Sequence, residues 1–280
     1  MKKVLFLLAV CLGFSFSSFA QRGEEWKMVW HDEFDGSGAF DPEKWQSEEG
    51  FVRNEEPQWY QAENTYRDNG LLVLEARWDS IPNPNYREGD PSWRKNRPFA
   101  HYSSGSVNTR GKYDFLYGQL EVRARISGAR GSWPAIWTLG SQMPWPSNGE
   151  VDVMEYYHYQ GVPTVLANAA WGSDRPNSAI WDSSYTPLTH FTEQDPDWCS
   201  RFHIWLMDWT PEYIRLYLDG ELLNEIDLSQ TINGSIGEHK NPFHSPQYIL
   251  LDNAVDIRYT PSRDAFPIRY EVDYVRVWQK

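Results

Sequence analysis

Tyr117-Gly118-Gln119-Leu120-Glu121-Val122-Arg123-Ala124-Arg125-Ile126 alternates between apolar and polar residues. Successive side chains of a strand point to opposite faces. Leu120, Val122, Ala124 and Ile126 therefore share one face, and Glu121, Arg123 and Arg125 share the other. This is the pattern of a half-buried strand. Similar runs recur outward from it. Residues 70–77 follow an Asn69-Gly70 turn. Residues 213–218, Asp219-Gly220 and residues 221–228 read as a β-hairpin. Residues 270–278 read as a closing strand. No segment sustains a long 3.6-residue period, and no internal repeat is present. Strand after strand with turn chemistry predicts an all-β chain folded as a two-sheet β-sandwich of jelly-roll type. Pro and Gly cluster at 82–98, 142–149 and 161–176, which are candidate surface loops. The stretches 82–98 and 171–198 are long for hairpin loops, and long loops on a compact sandwich are more often functional than accidental.

Composition narrows the function. The 280 residues include 15 Trp, with 26 Lys+Arg against 39 Asp+Glu, a formal net charge of −13. A chain this acidic is a poor nucleic-acid ligand, because phosphate affinity rests on clustered Lys and Arg. The apolar and charged fractions exclude disorder. Residues 1–20 read as a signal peptide: Lys2 and Lys3, an apolar run over 4–12, and a small-x-small cleavage site at Ser18-Phe19-Ala20. Export to a periplasmic, extracellular or cell-surface location follows, with residues 21–280 as a single domain. Lipidation at Cys11 is a minor alternative. Beyond the leader no apolar run is long enough to span a membrane. Removal of Cys11 leaves Cys199 alone, so no internal disulfide forms.

The candidate chemistry lies in Gly149-Glu150-Val151-Asp152-Val153-Met154-Glu155-Tyr156. Glu150 and Asp152 share a face by alternation. Glu155 would fall on the core side, where an ionised carboxylate is severely disfavoured. One β-bulge near Val153–Met154 resets the phase and returns Glu155 to the open face. Four effective strand residues would then separate Glu150 and Glu155 by about 13 Å between Cα atoms, and long side chains could lean together over a sugar. Carboxyl groups about 5–5.5 Å apart suit a retaining glycosidase. By spacing alone the pattern is weak, and ordinary solvent-facing acids are the better reading. The surroundings favour chemistry. Trp133 and Trp137 share a parity in Trp133-Pro134-Ala135-Ile136-Trp137, and Trp145 precedes Glu150 by five residues. Aromatic faces stack on the C–H faces of sugar rings while carboxylates bind hydroxyls.

These residues resemble the bulged catalytic signature of glycoside hydrolase family 16, laminarinase-type branch. Trp30-His31-Asp32-Glu33-Phe34-Asp35-Gly36, the 69–77 strand, the 104–123 block, the 133–137 block and Asp273-Tyr274-Val275-Arg276-Val277-Trp278 are similar to further family segments. The resemblance implies a concave cleft and a retaining endo-β-glucanase acting on β-1,3- or mixed-linkage β-1,3/1,4-glucan. It implies Glu150 as nucleophile, Glu155 as general acid/base and Asp152 tuning both. It places Trp133, Trp137 and Trp145 at sugar subsites, with Asn54 on the rim. Glu121 and Arg123 match a pair that reaches the cleft in some members; solvated sheet-face charges are the other reading. Trp171 is a candidate platform or a loop anchor. No cofactor is implied for catalysis. A structural Ca²⁺ is implied at Glu33, the carbonyl of Gly70 and Asp273, where hard oxygen ligands would suit it. A monomer is expected.

The sequence departs from the family pattern at two places. Asn168-Ala169-Ala170-Trp171 stands where a His is common, and Asp252-Asn253-Ala254-Val255-Asp256-Ile257 replaces Asn-Leu-Ala-Val-Gly-Gly. Both changes touch the cleft. A galactan-cleaving enzyme of agarase or porphyranase type is therefore an alternative, as is a non-catalytic glucan-binding module. Negative charge argues against sulfated galactan unless basic residues are focused in the cleft.

Overall fold

The computed structural model describes residues 23–280. The leader and Cys11 lie outside the described residues. Two antiparallel sheets pack face to face. The seven-stranded sheet runs in the order Ala179–Pro187, Val162–Gly172, Glu150–Tyr159, Ser132–Gly140, Gln247–Val255, Ser106–Asn108, Gln46–Ser47. The larger sheet, of eleven strands, is built around Gly118–Arg125, which lies between His203–Trp209 and Ile268–Gln279. Among the described residues no helix is long and apolar enough to cross a membrane.

The alternation that predicts the sandwich also builds its core. Leu120, Val122 and Ala124 from the larger sheet are wholly buried, as are Val153, Ala169, Ile249 and Leu251 from the smaller. Each large apolar side chain so buried contributes about 1.5–3 kcal/mol. Asn69-Gly70 and Asp219-Gly220 are tight turns with positive φ at both residues, the geometry that joins adjacent antiparallel strands. The second turn links Tyr213–Leu218 to Glu221–Asp227.

Two expected loops are different. Residues 162–172 form a strand rather than part of a 161–176 loop, and the 171–198 stretch contains the strand Ala179–Pro187 and the short helix Thr189–Thr192. Two prolines and two glycines point to a loop over 161–176. Gly161, Pro163 and Gly172 sit instead at the ends of a strand and Pro176 in the turn after it, where a missing N–H is tolerated.

Candidate active site

The Glu150–Tyr159 strand carries one residue more than its neighbours at one point. Across from Val162–Gly172, Asp152 faces Asn168 and Glu155 faces Leu166, three steps against two. Across from Ser132–Gly140, Trp137 faces Asp152 and Ile136 faces Met154. Val153 and Met154 are both wholly buried in the core. This bulge places Glu150, Asp152 and Glu155 together on the outer face, where all three line one depression with Trp133, Trp137 and Asp252. A groove of about 560 Å³ extends it across the strands, from Arg53, Asn54 and Arg94 to Tyr157 and Trp181.

Indole N–H groups hold the acids. Trp133 Nε1 donates to Glu155 Oε1 at 3.0 Å, Trp145 Nε1 donates to Glu150, and Trp137 Nε1 donates to Asp252 Oδ1 at 2.7 Å. Asn54 lies at the groove's rim and donates to Glu56 at 3.2 Å. Asn168 Nδ2 reaches both Asp152 and Glu155 at 3.2 Å.

The electrostatics separate the two glutamates. Burial pushes Glu155 up to about 7, with the Glu150 and Asp252 charges adding to it and the Trp133 bond opposing. Burial also raises Glu150, but hydrogen bonds from Trp145 and Asp152 and the Arg53 charge pull against it. Asp152 is held well above the usual carboxylate range by burial and by its two glutamate neighbours. Three touching carboxylates cannot all ionise cheaply. The hydrogen bond from Asp152 favours the charged form of Glu150, while Glu155 is poised near neutrality.

Arg53 completes the site. It pairs with Glu48 and, at 3.7 Å, with Asp252, and lies over the Trp137 and Tyr60 rings. Tyr60 also donates to Asp252 at 3.0 Å. Arg53 and Trp181 carry no signal in the sequence. Trp181 becomes visible only through register: it faces Ala170, which faces Glu150.

Two expectations need correction, and the calcium ligands of a third are already engaged. Glu121 and Arg123 do not reach the groove, because their strand belongs to the other sheet. Tyr274 donates to Glu121, and Arg123 pairs with Asp273. Trp171 is neither platform nor loop anchor; it lies on a strand one residue past Ala170, so its ring turns into the core. The two carboxylates of the implied Ca²⁺ set already have guanidinium partners. Arg276 grips both oxygens of Glu33 at 2.8 and 2.7 Å, and Asp273 is occupied by Arg123. Among the described residues no group of three or more His, Cys, Asp or Glu side chains gathers to hold a metal.

Comparison with known proteins agrees with this geometry. Residues 53–251 match the family described as glycosyl hydrolases family 16. A β-glucanase of Rhodothermus marinus is 32% identical over 100% of this chain and 95% of its own length. A keratan-sulfate endo-1,4-β-galactosidase of Sphingobacterium multivorum is 28% identical over 91% of this chain and 56% of its own length. A solved structure from work on endo-acting O-glycanases that initiate mucin breakdown in the human gut microbiota superposes with a TM-score of 0.79 at 33% identity, covering 91% of both chains. The non-specific endo-β-1,3(4)-glucanase SCLam superposes with a TM-score of 0.73 at 32% identity, covering 92% of both chains.

Proposed function

The chain belongs to glycosyl hydrolase family 16, and from that premise we propose that it is a retaining endo-β-glucanase of β-1,3- or mixed-linkage β-1,3/1,4-glucan. The observation that carries this reading is the bulge that sets Glu150 and Glu155 on either side of Asp152 in an aromatic groove. A groove open across the strands suits an internal segment of a polymer rather than a chain end.

In the mechanism, Glu150 attacks the anomeric carbon while Glu155 passes its proton to the departing glycosidic oxygen. Water then attacks the glycosyl-enzyme, gives its proton to Glu155 and frees Glu150. The nucleophile must begin ionised and the acid protonated. The opposing influences on Glu150 and the elevation of Glu155 support that assignment. Trp133, Trp137 and Trp145 present rings beside these acids as sugar platforms. Export, through the leader at residues 1–20, would put the enzyme where polymeric substrate is found.

A second reading is favoured by specific observations. The structure from the work on endo-acting O-glycanases superposes with a higher TM-score than SCLam, and Asn168 and Asp252, both departures from the laminarinase pattern, line or brace the cleft. That reading is an endo-β-galactosidase on galactose-containing glycans. The deciding experiment is a digestion panel of laminarin, barley β-glucan, lichenan, keratan sulfate, mucin O-glycans, agarose and porphyran, with Glu150→Gln as control. Release from the glucans supports the proposal. Release from the galactose-containing glycans alone supports the second reading, and no release from any substrate overturns the enzyme assignment.

A further inference from the structure

Asn168 stands opposite Asp152 on the neighbouring strand and is 3% exposed. Its Nδ2 donates to Asp152 Oδ2 and Glu155 Oε2 at 3.2 Å each, while its buried Oδ1 has no hydrogen-bond partner. The reverse orientation would set the carbonyl against Asp152 Oδ2, whose carboxyl hydrogen-bonds to Glu150, and against Glu155, which has no proton to donate once the leaving sugar has taken it. The amide is thus oriented by the acids, although this leaves its own acceptor unsatisfied. Buried polar atoms are rarely left so without a compensating role. Trp133 meanwhile donates to the other oxygen of Glu155. Each oxygen of Glu155 has one N–H donor.

We propose that Asn168 is a positioning residue that holds Glu155 against Asp152 and stabilises the carboxylate left on Glu155 once its proton has gone to the leaving sugar. This rests on the glycosidase reading above, with Glu155 as the acid. The proton balance explains the need. As the bond from the anomeric carbon to the leaving oxygen breaks, that oxygen takes the Glu155 proton and Glu150 bonds the carbon. Glu155 remains an anion until the attacking water returns a proton. During that interval it faces Glu150 and Asp152 from its own strand, Asp252 from Gln247–Val255 and Glu56 from the 53–57 segment. Tyr157 adds a further titratable neighbour. Arg53 and Arg94 line the groove with Glu155, and Arg258 lies over the Trp133 and Tyr157 rings. Their guanidinium groups bond to other partners. An N–H bond to the charged form is the remaining way to offset so much negative charge.

The test uses the full chain carrying Asn168→Leu, Asn168→Ala or Asn168→His. Two readouts are taken: the pH profile of kcat and KM on the polymer the wild type cleaves, and titration of the Glu155 carboxyl by ¹³C NMR in free enzyme. With the donor lost in Leu or Ala, the Glu155 titration and the alkaline limb rise by about one pH unit, and kcat falls more than KM changes. His restores an N–H donor and returns the limb to the wild-type position or below it. A folded Leu or Ala variant with an unmoved Glu155 titration overturns the proposal. Wild-type inactivity on every substrate would instead overturn the glycosidase reading, and the NMR titration would still decide the role of Asn168.

Discussion

Val153 and Met154 are consecutive residues of one strand, yet both are wholly buried in the core between the two sheets. In a regular strand one of them would face the groove. Their shared direction is the bulge, and it places Glu155 on the same face as Glu150.

Deleting Met154 should therefore remove the bulge and drive Glu155 into the core. An unpaired carboxylate there costs several kcal/mol, so activity and the folded state are lost together. Met154→Ala keeps the extra residue and should only open a cavity, lowering stability by about 2–5 kcal/mol while folded protein stays active. Denaturant unfolding and activity per folded molecule check both. An active deletion variant would contradict the bulge argument.

The pH dependence has a defined sign. Glu155, at about 7, must be protonated to act, so kcat/KM should fall with an alkaline limb near 7. Stability follows the same groups. Asp152, Glu155 and Asp252 have folded-state values raised above their unfolded ones. The folded state then binds more protons, and stability falls as pH rises from the ordinary carboxylate range through the raised values. Glu155→Gln, which cannot ionise, should raise Tm at pH 8 by a few degrees or about 1 kcal/mol while abolishing turnover. A lowered Tm at pH 8 would show that the buried charge is better satisfied than its surroundings indicate.

Trp181 and Trp171 should separate cleanly. Trp181 is exposed and lines the groove, so Trp181→Ala should raise KM roughly three- to tenfold by loss of ring stacking, with Tm unchanged. Trp171→Ala should cost about 3–5 kcal/mol of stability and leave KM alone in the folded fraction. Steady-state kinetics and thermal melts on both variants decide it.

The chain should not depend on calcium. With Glu33 and Asp273 engaged by Arg276 and Arg123, EDTA or added CaCl₂ should move Tm by less than about 1 °C. A larger stabilisation by CaCl₂ would show that the guanidinium groups yield to the ion.

Much of this site was legible because strand parity is a property of sequence. Alternation through residues 120–126 separates core from surface residues, and the misfit of Glu155 with that parity reveals an extra residue. Parity gives faces but not sheets. The sequence at Glu121 and Arg123 could not show that their strand lies in the sheet opposite the groove. Parity is also silent on register. Trp171 and Trp181 are both tryptophans near Pro and Gly, and only the pairing of Trp181 with Ala170 and of Ala170 with Glu150 puts one of them by the acids. The calcium expectation depends on something else parity does not carry: whether a carboxylate is available depends on cations brought from distant segments, as Arg276 is brought to Glu33.

The central claim is that Glu150, placed by the bulge, forms a covalent bond to the sugar. Trapping with a 2-deoxy-2-fluoro glycoside of the substrate the enzyme cleaves, followed by peptide mapping in a mass spectrometer, tests it most directly. A single glycosyl adduct on Glu150 is the predicted result. An adduct on Asp152 or Glu155, or turnover with inverted product and no adduct, would contradict it.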